Sequence, residues 1–181
     1  MRHIKYPADV LDYVVEVDLA DGDNVNGVSV AVSPAGLTVD STSYTLTTAT
    51  AWLAGGTLGV RYKVTYTITT AMGRTAQAEK WITIARAPSL RRLKQPADVE
   101  AYTFDFNDAE HPWIPNGDTI SSSTVTASAG VTLGQKLATS STVTQWVSGG
   151  TNGNQYTVTC LIVTAGGRTK EVDLVLQVVD Q

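Results

Sequence analysis

WLAGGTLGVRYKVTYTITTAMGRT, from Trp52 to Thr75, is answered later in the chain by WVSGGTNGNQYTVTCLIVTAGGRT, from Trp146 to Thr169. Trp, Gly-Gly-Thr, Gly, Tyr and Gly-Arg-Thr stand at matching places in both. Upstream, KYPADVLDY (Lys5 to Tyr13) returns as KQPADVEAY (Lys94 to Tyr102), about 89 residues on, and the offset then grows to about 94. One structural unit therefore occurs twice, and the second copy carries a small insertion. Within the quoted stretch the pattern has a period of two. Tyr62, Val64, Tyr66 and Ile68 alternate with Lys63, Thr65, Thr67 and Thr69, and Tyr156, Val158, Cys160 and Ile162 form the same apolar row in the second copy. Alternation of this kind marks a strand buried on one face.

The same period runs through YVVEVDL (13–19), VSVAVS (28–33) and SYTLTTATAWL (43–53). The 26 threonines, with abundant Val and Tyr, suit a pleated, half-buried surface. Helical stripes are absent, and Gly, Asn, Asp and Ser clusters interrupt the chain every 8 to 12 residues or so, a sandwich-like spacing. The Gly-Gly pairs and the hairpin glycines Gly73 and Gly167 can take the positive φ that tight turns require. The expected fold is all-β: two tandem immunoglobulin-like antiparallel β-sandwiches of about seven strands each, over residues 1–87 and 88–181. A short Pro/Arg linker is expected at about 86–95, where ARAPSLRRLKQPADV (85–99) breaks the alternation.

Each unit of nearly 90 residues is long enough to bury its own core. With 43% hydrophobic and 17% charged residues, the 181-residue chain has a globular composition. A net charge of −4 and a pI near 5.0 argue against a general nucleic-acid or anionic-membrane surface. No apolar run is long enough to span a bilayer, and MRHIKYPADVLDY shows no secretory apolar core. The single cysteine, Cys160, excludes an internal disulfide and suits a reducing cytoplasm. It reads as a buried strand residue, since no activating base is evident in the sequence.

Catalytic chemistry finds no support. His3 and His111 have no metal-ligand spacing, and no nucleophile elbow, phosphate loop, zinc-protease or dinucleotide motif occurs. The acidic run DLADGDN (18–24) lacks the spacing of a calcium loop. No catalytic, metal or cofactor residue is assigned, and no enzyme is expected.

The paired motif K-x-P-x-D-V-x-x-Y … G-D … W-x-x-G-G-T-x-G-x-x-Y … G-R-T resembles the tail-fibre adaptor proteins of tailed bacteriophages and prophages. It is carried by Lys5, Pro7, Asp9, Tyr13, Asp23, Trp52, Tyr62 and Arg74, and again by Lys94, Pro96, Asp98, Tyr102, Asp118, Trp146, Tyr156 and Arg168. The resemblance covers nearly the whole chain, once per copy, although family members often carry a single unit. It implies a structural virion protein that joins fibres or spikes to the tail or neck. Implied partners are other virion proteins, such as the tail tube, nozzle or head–tail adaptor and the tail fibre, met by several copies in a ring-like assembly. Assembly in the host cytoplasm and residence in the virion tail follow, with no nucleic-acid or membrane partner. A head-decoration or neck protein is the alternative, and a carbohydrate-binding adhesion module a further one that would demand an exposed aromatic platform.

Six residues are candidates for partner contact. Trp113 and Ile114 lie in the inserted segment NDAEHPWIPN (107–116), which either covers an open end of its own sandwich or anchors a neighbour. Arg74 and Arg168 sit at hairpin turns, solvated or free to capture a carboxylate. Arg91 and Arg92 belong to the basic connector. Trp52 and Trp146 are read as core anchors, and KxPADV as a proline-set lead-in to a strand or a docking peptide.

Overall fold

The computed structural model describes residues 3–86, 89–107, 113–115 and 117–180. His111, Pro112, Asn116 and the junction residues Ala87 and Pro88 lie outside the described residues. The chain divides into two compact units, Met1–Arg86 and Ala87–Gln181.

The first unit runs β1 (His3–Lys5), β2 (Leu11–Glu16), β3 (Val25–Ser33), β4 (Leu37–Tyr44), β5 (Thr48–Gly55), β6 (Arg61–Thr70) and β7 (Thr75–Ile84). A four-stranded sheet, β1-β7-β6-β3, faces a three-stranded sheet, β2-β5-β4. The second unit repeats this with β8 (Ser89–Lys94), β9 (Glu100–Asp105), β10 (Ile120–Ala127), β11 (Val131–Ala138), β12 (Thr142–Gly149), β13 (Gln155–Thr164) and β14 (Thr169–Val178). Its sheets are β10-β13-β14-β8 and β11-β12-β9. Each unit is an immunoglobulin-like sandwich of seven strands. Pairing is antiparallel except at one edge, where β1 lies parallel to β7 and β8 parallel to β14.

Burial follows the alternation. Tyr62, Val64, Tyr66 and Ile68 of β6 are buried against Ala49, Ala51 and Leu53 of β5 and Ile82 and Ile84 of β7. In the second core, Val158, Cys160 and Ile162 pack with Phe104, Val143, Val147, Leu174 and Leu176. Cys160 takes the place of Tyr66, whose hydroxyl donates to the Tyr13 carbonyl at 2.9 Å. Burial pushes the Cys160 thiol up to about 12, so it stays protonated and unreactive.

Three expectations are corrected. Residues 89–94, read as linker, form the edge strand β8. The backbone ladder to Asp173–Val178 orders them although five of the six side chains are exposed. Trp52 and Trp146 are not core anchors but stand partly buried on the outer faces of β5 and β12. Ala51 and Leu53, and likewise Gln145 and Val147, point inward, so strand parity turns the intervening tryptophan outward. The KxPADV segment is a tight turn rather than an extended lead-in: Asp9 N donates to the Tyr6 carbonyl at 3.1 Å, and Asp98 N to that of Gln95 at 3.3 Å. Proline there fills the second position of the turn, which its fixed φ favours.

Buried Gln145 has a local cause. The β11–β12 register slips between Leu133 and Lys136, and a bulge leaves main-chain groups unpaired. The Gln145 amide nitrogen donates to the carbonyls of Gly134 (3.0 Å) and Gln135 (3.1 Å) in that interval.

Candidate functional site

Several of the residues shared by the two copies gather at the two ends of each sandwich, and there they bind one another. At one end, Lys5 is wholly buried and its Nζ donates to the carbonyls of Gly55 (2.6 Å) and Tyr6 (3.0 Å). Lys94 does the same with Gly149 (2.9 Å) and Gln95 (2.7 Å). The phenol oxygen of Tyr62 accepts from Thr57 N at 2.9 Å, and that of Tyr156 from Thr151 N at 3.0 Å. Gly56 and Gly150 have φ of +104° and +98°, and a Cβ there would meet Ile84 at 2.6 Å or Val178 at 2.7 Å. Lysine, tyrosine and the Gly-Gly-Thr turn thus form one internal brace, which removes the KxPADV lysine from any docking role.

At the other end, the Gly-Asp motif holds the Gly-Arg-Thr hairpin. Asp23 Oδ1 accepts from Met72 N (3.1 Å) and Asn24 N (2.9 Å), with Arg74 Nη1 3.7 Å from Oδ2. Asp118 Oδ1 accepts from Gly166 N (2.8 Å) and Thr119 N (2.9 Å), and Arg168 Nη1 stands 3.1 Å from Oδ2. Burial works to raise both carboxyls. For Asp23, bonds from Thr70, Met72 and Asn24 and the Arg74 charge outweigh it; for Asp118, bonds from Thr164, Gly166, Thr119 and Arg168 do so. Both remain below the usual carboxylate value. Sequence reasoning missed these pairs, although Gly-Asp and Gly-Arg-Thr recur together in both copies.

The six candidates do not converge on one patch. Arg74 and Arg168 serve first as partners of Asp23 and Asp118; the Arg74 side chain is still 57% exposed, that of Arg168 only 21%. Ile114 belongs to the core of its own unit, which removes it as a surface contact. Beside it, Trp113 N donates to the Phe106 carbonyl at 3.0 Å. The Lys170 ammonium lies 3.5 Å from the Trp113 ring centroid. The insertion therefore folds back over its sandwich at Trp113 and Ile114. Arg91 and Arg92 lie on β8, opposite Val175 and Leu176 of β14, whereas Arg168 and Lys170 belong to that hairpin's other end.

The exposed Trp81 side chain has the Arg61 guanidinium carbon 4.4 Å from its ring centroid.

The sequence matches the family model of the podophage GP4 fiber-tail adaptor protein gp77 over residues 5–83 and again over 94–177. No curated protein sequence matches the chain. Among solved structures, the titin domains Z1 and Z2 in complex with telethonin align at 10% identity and a TM-score of 0.33, covering 99% of this chain and 94% of that one. InvD of Yersinia pseudotuberculosis aligns at 14% identity and a TM-score of 0.33, covering 96% of this chain and 54% of that one.

Proposed function

The chain belongs to the podophage fiber-tail adaptor family, with the family unit present twice, and from that membership we propose that it joins fibres or spikes to the tail or neck of a tailed phage virion. The observation that carries this reading is the pair of family matches, one over each compact unit. In this reading the protein is a structural part and carries out no catalysis. It acts in several copies, and its partners are the proteins of the tail and of the fibre rather than nucleic acid. The division of labour inside each unit fits the role. Recurrent lysine, tyrosine, aspartate and arginine side chains brace the ends of the sandwich, which leaves side chains that differ between the units, such as Arg91 and Arg92, to choose partners.

The test is to delete the gene from the phage genome and compare purified particles by quantitative mass spectrometry and electron microscopy. Expected are particles with packaged DNA and assembled tails that lack fibres and do not adsorb. In wild-type particles the protein should be present in a fixed number per tail. Recovery of the protein from tail-less heads, or fibres retained at full occupancy after deletion, would overturn the reading.

A further inference from the structure

The edge strand β8 carries the sequence Ser89-Leu90-Arg91-Arg92-Leu93-Lys94, and every side chain before Lys94 is exposed. One side of β8 pairs with β14, and no strand among the described residues pairs with the other. Neither Arg91 nor Arg92 forms an ion pair among the described residues. The Arg92 guanidinium instead bonds the Arg91 carbonyl at 2.9 Å, a main-chain acceptor and not a carboxylate. Leu90 is 37% and Leu93 61% exposed. Clefts open on both sides of the strand. One of about 300 Å³ is lined by Arg91, Arg92, Leu93, Gln155, Val175 and Gln177. The other, of about 230 Å³, lies between the sheets and includes Leu90, Arg92, Tyr102 and Phe104.

We infer that the free edge of β8 accepts an extended segment of a partner protein bearing apolar-acidic-acidic-apolar side chains, added as a further strand of the sheet. An edge strand offers main-chain groups for a ladder, and its side chains then select the incoming sequence. Leu90-Arg91-Arg92-Leu93 reads the same in both directions. A strand bonded to it therefore meets apolar, cationic, cationic and apolar neighbours in turn, whether it runs parallel or antiparallel. Two guanidiniums without carboxylate partners favour two adjacent acids, and the flanking leucines favour protein over a phosphate polymer. Charged residues alone would only deter pairing at an edge; the exposed leucines supply what a deterrent does not need. A second copy of this chain does not provide the complement, because nowhere does it place two acidic residues side by side.

The inference rests on the adaptor reading only for which virion protein owns the segment, so its binding test is independent of particles. The full chain is titrated against a fluorescein-labelled peptide of about ten residues centred on Val-Glu-Glu-Val, read by fluorescence anisotropy. Saturable binding is expected, weakened at least about tenfold by Arg91→Glu with Arg92→Glu. That double variant should in turn prefer a Val-Lys-Lys-Val peptide. Its melting temperature should stay near the wild-type value, since both side chains are exposed. A peptide of equal charge with prolines flanking the glutamates, unable to complete the ladder, should bind at least about tenfold more weakly. Equal affinity for the proline peptide, or binding that survives the charge reversal, would overturn the inference. So would a short DNA duplex that binds more tightly through the same arginines. Fibre loss on gene deletion without peptide binding would retain the adaptor and discard this site; peptide binding by a protein found only in heads would do the reverse.

Discussion

Asp23 and Asp118 show how much a single side chain can tie together. Each carboxylate bonds its own turn and the hairpin across from it, and each titrates below the ordinary value of 3.8 in the folded protein. A lowered folded pKa means the unfolded chain takes up protons first as the pH falls. The stabilisation is therefore complete above the unfolded value and is lost through and below it, down to the folded value. Thermal melts taken at falling pH should show a decline beginning below about pH 4, and Asp23→Asn with Asp118→Asn should lower the neutral-pH melting temperature and flatten that decline. At Cys160 the expectation is silence: a thiol reagent should label it at the rate of unfolding, and quickly only in denaturant. For the insertion, Ile114→Ala should destabilise the second unit by about 2–5 kcal/mol, as for other buried aliphatic residues. Trp113→Ala uncovers the Lys170 ammonium and should lower the same melting transition by less. An unchanged transition together with weakened fibre attachment would make Trp113 a partner contact instead.

Strands make a different prediction from residues taken by type. In β5 the inward row is Ala49, Ala51 and Leu53, and Trp52 shares the outer row with Thr48 and Thr50. The threonines two and four places before the tryptophan already marked its side of the strand. A large aromatic residue in a strand is placed by parity and not by its size. Trp52→Ala and Trp146→Ala should accordingly each cost less than the roughly 3–5 kcal/mol typical of a core tryptophan, as read from denaturant melts. The braces at the strand ends should matter more. Replacing Lys94 with methionine keeps the buried stem but leaves the Gly149 carbonyl without its charged donor, at a cost of about 1–3 kcal/mol. Equal melts for Lys94→Met and wild type would show the brace to be dispensable.

At the scale of the molecule, each unit has its own core, one built around β6 and one around β13. We expect segments 1–86 and 87–181, expressed separately, each to fold with a strand-rich circular dichroism spectrum and a cooperative melt. A random-coil spectrum from either would show that unit to depend on the other. The acidic net charge sets a further expectation, that duplex DNA is held at physiological salt no more tightly than about 10⁻⁴–10⁻⁶ M. A filter-binding or anisotropy titration measures this directly.

The sequence by itself determined the doubling, the strand-rich class, the buried rows of β6 and β13 and the turns at Gly73 and Gly167. The last three of these are local: a period of two and a positive-φ requirement are written in neighbouring residues. The same was true of the family, because its motif is a string of spaced identities. What the sequence left open was which residues meet across the fold. Lys5 and Gly55, Asp23 and Arg74, or Asp118 and Arg168 are about fifty positions apart, and no local pattern pairs them. The strand at 89–94 was hidden because its order comes from a ladder with β14, some eighty residues away, and not from its own exposed side chains. Ile114 entered the core for a like reason: two prolines in its loop could be read as a stiff surface presentation, and only the packed end of the sandwich turned it inward. Contacts between distant positions depend on how the whole chain closes, and that closure was decided by the tertiary structure.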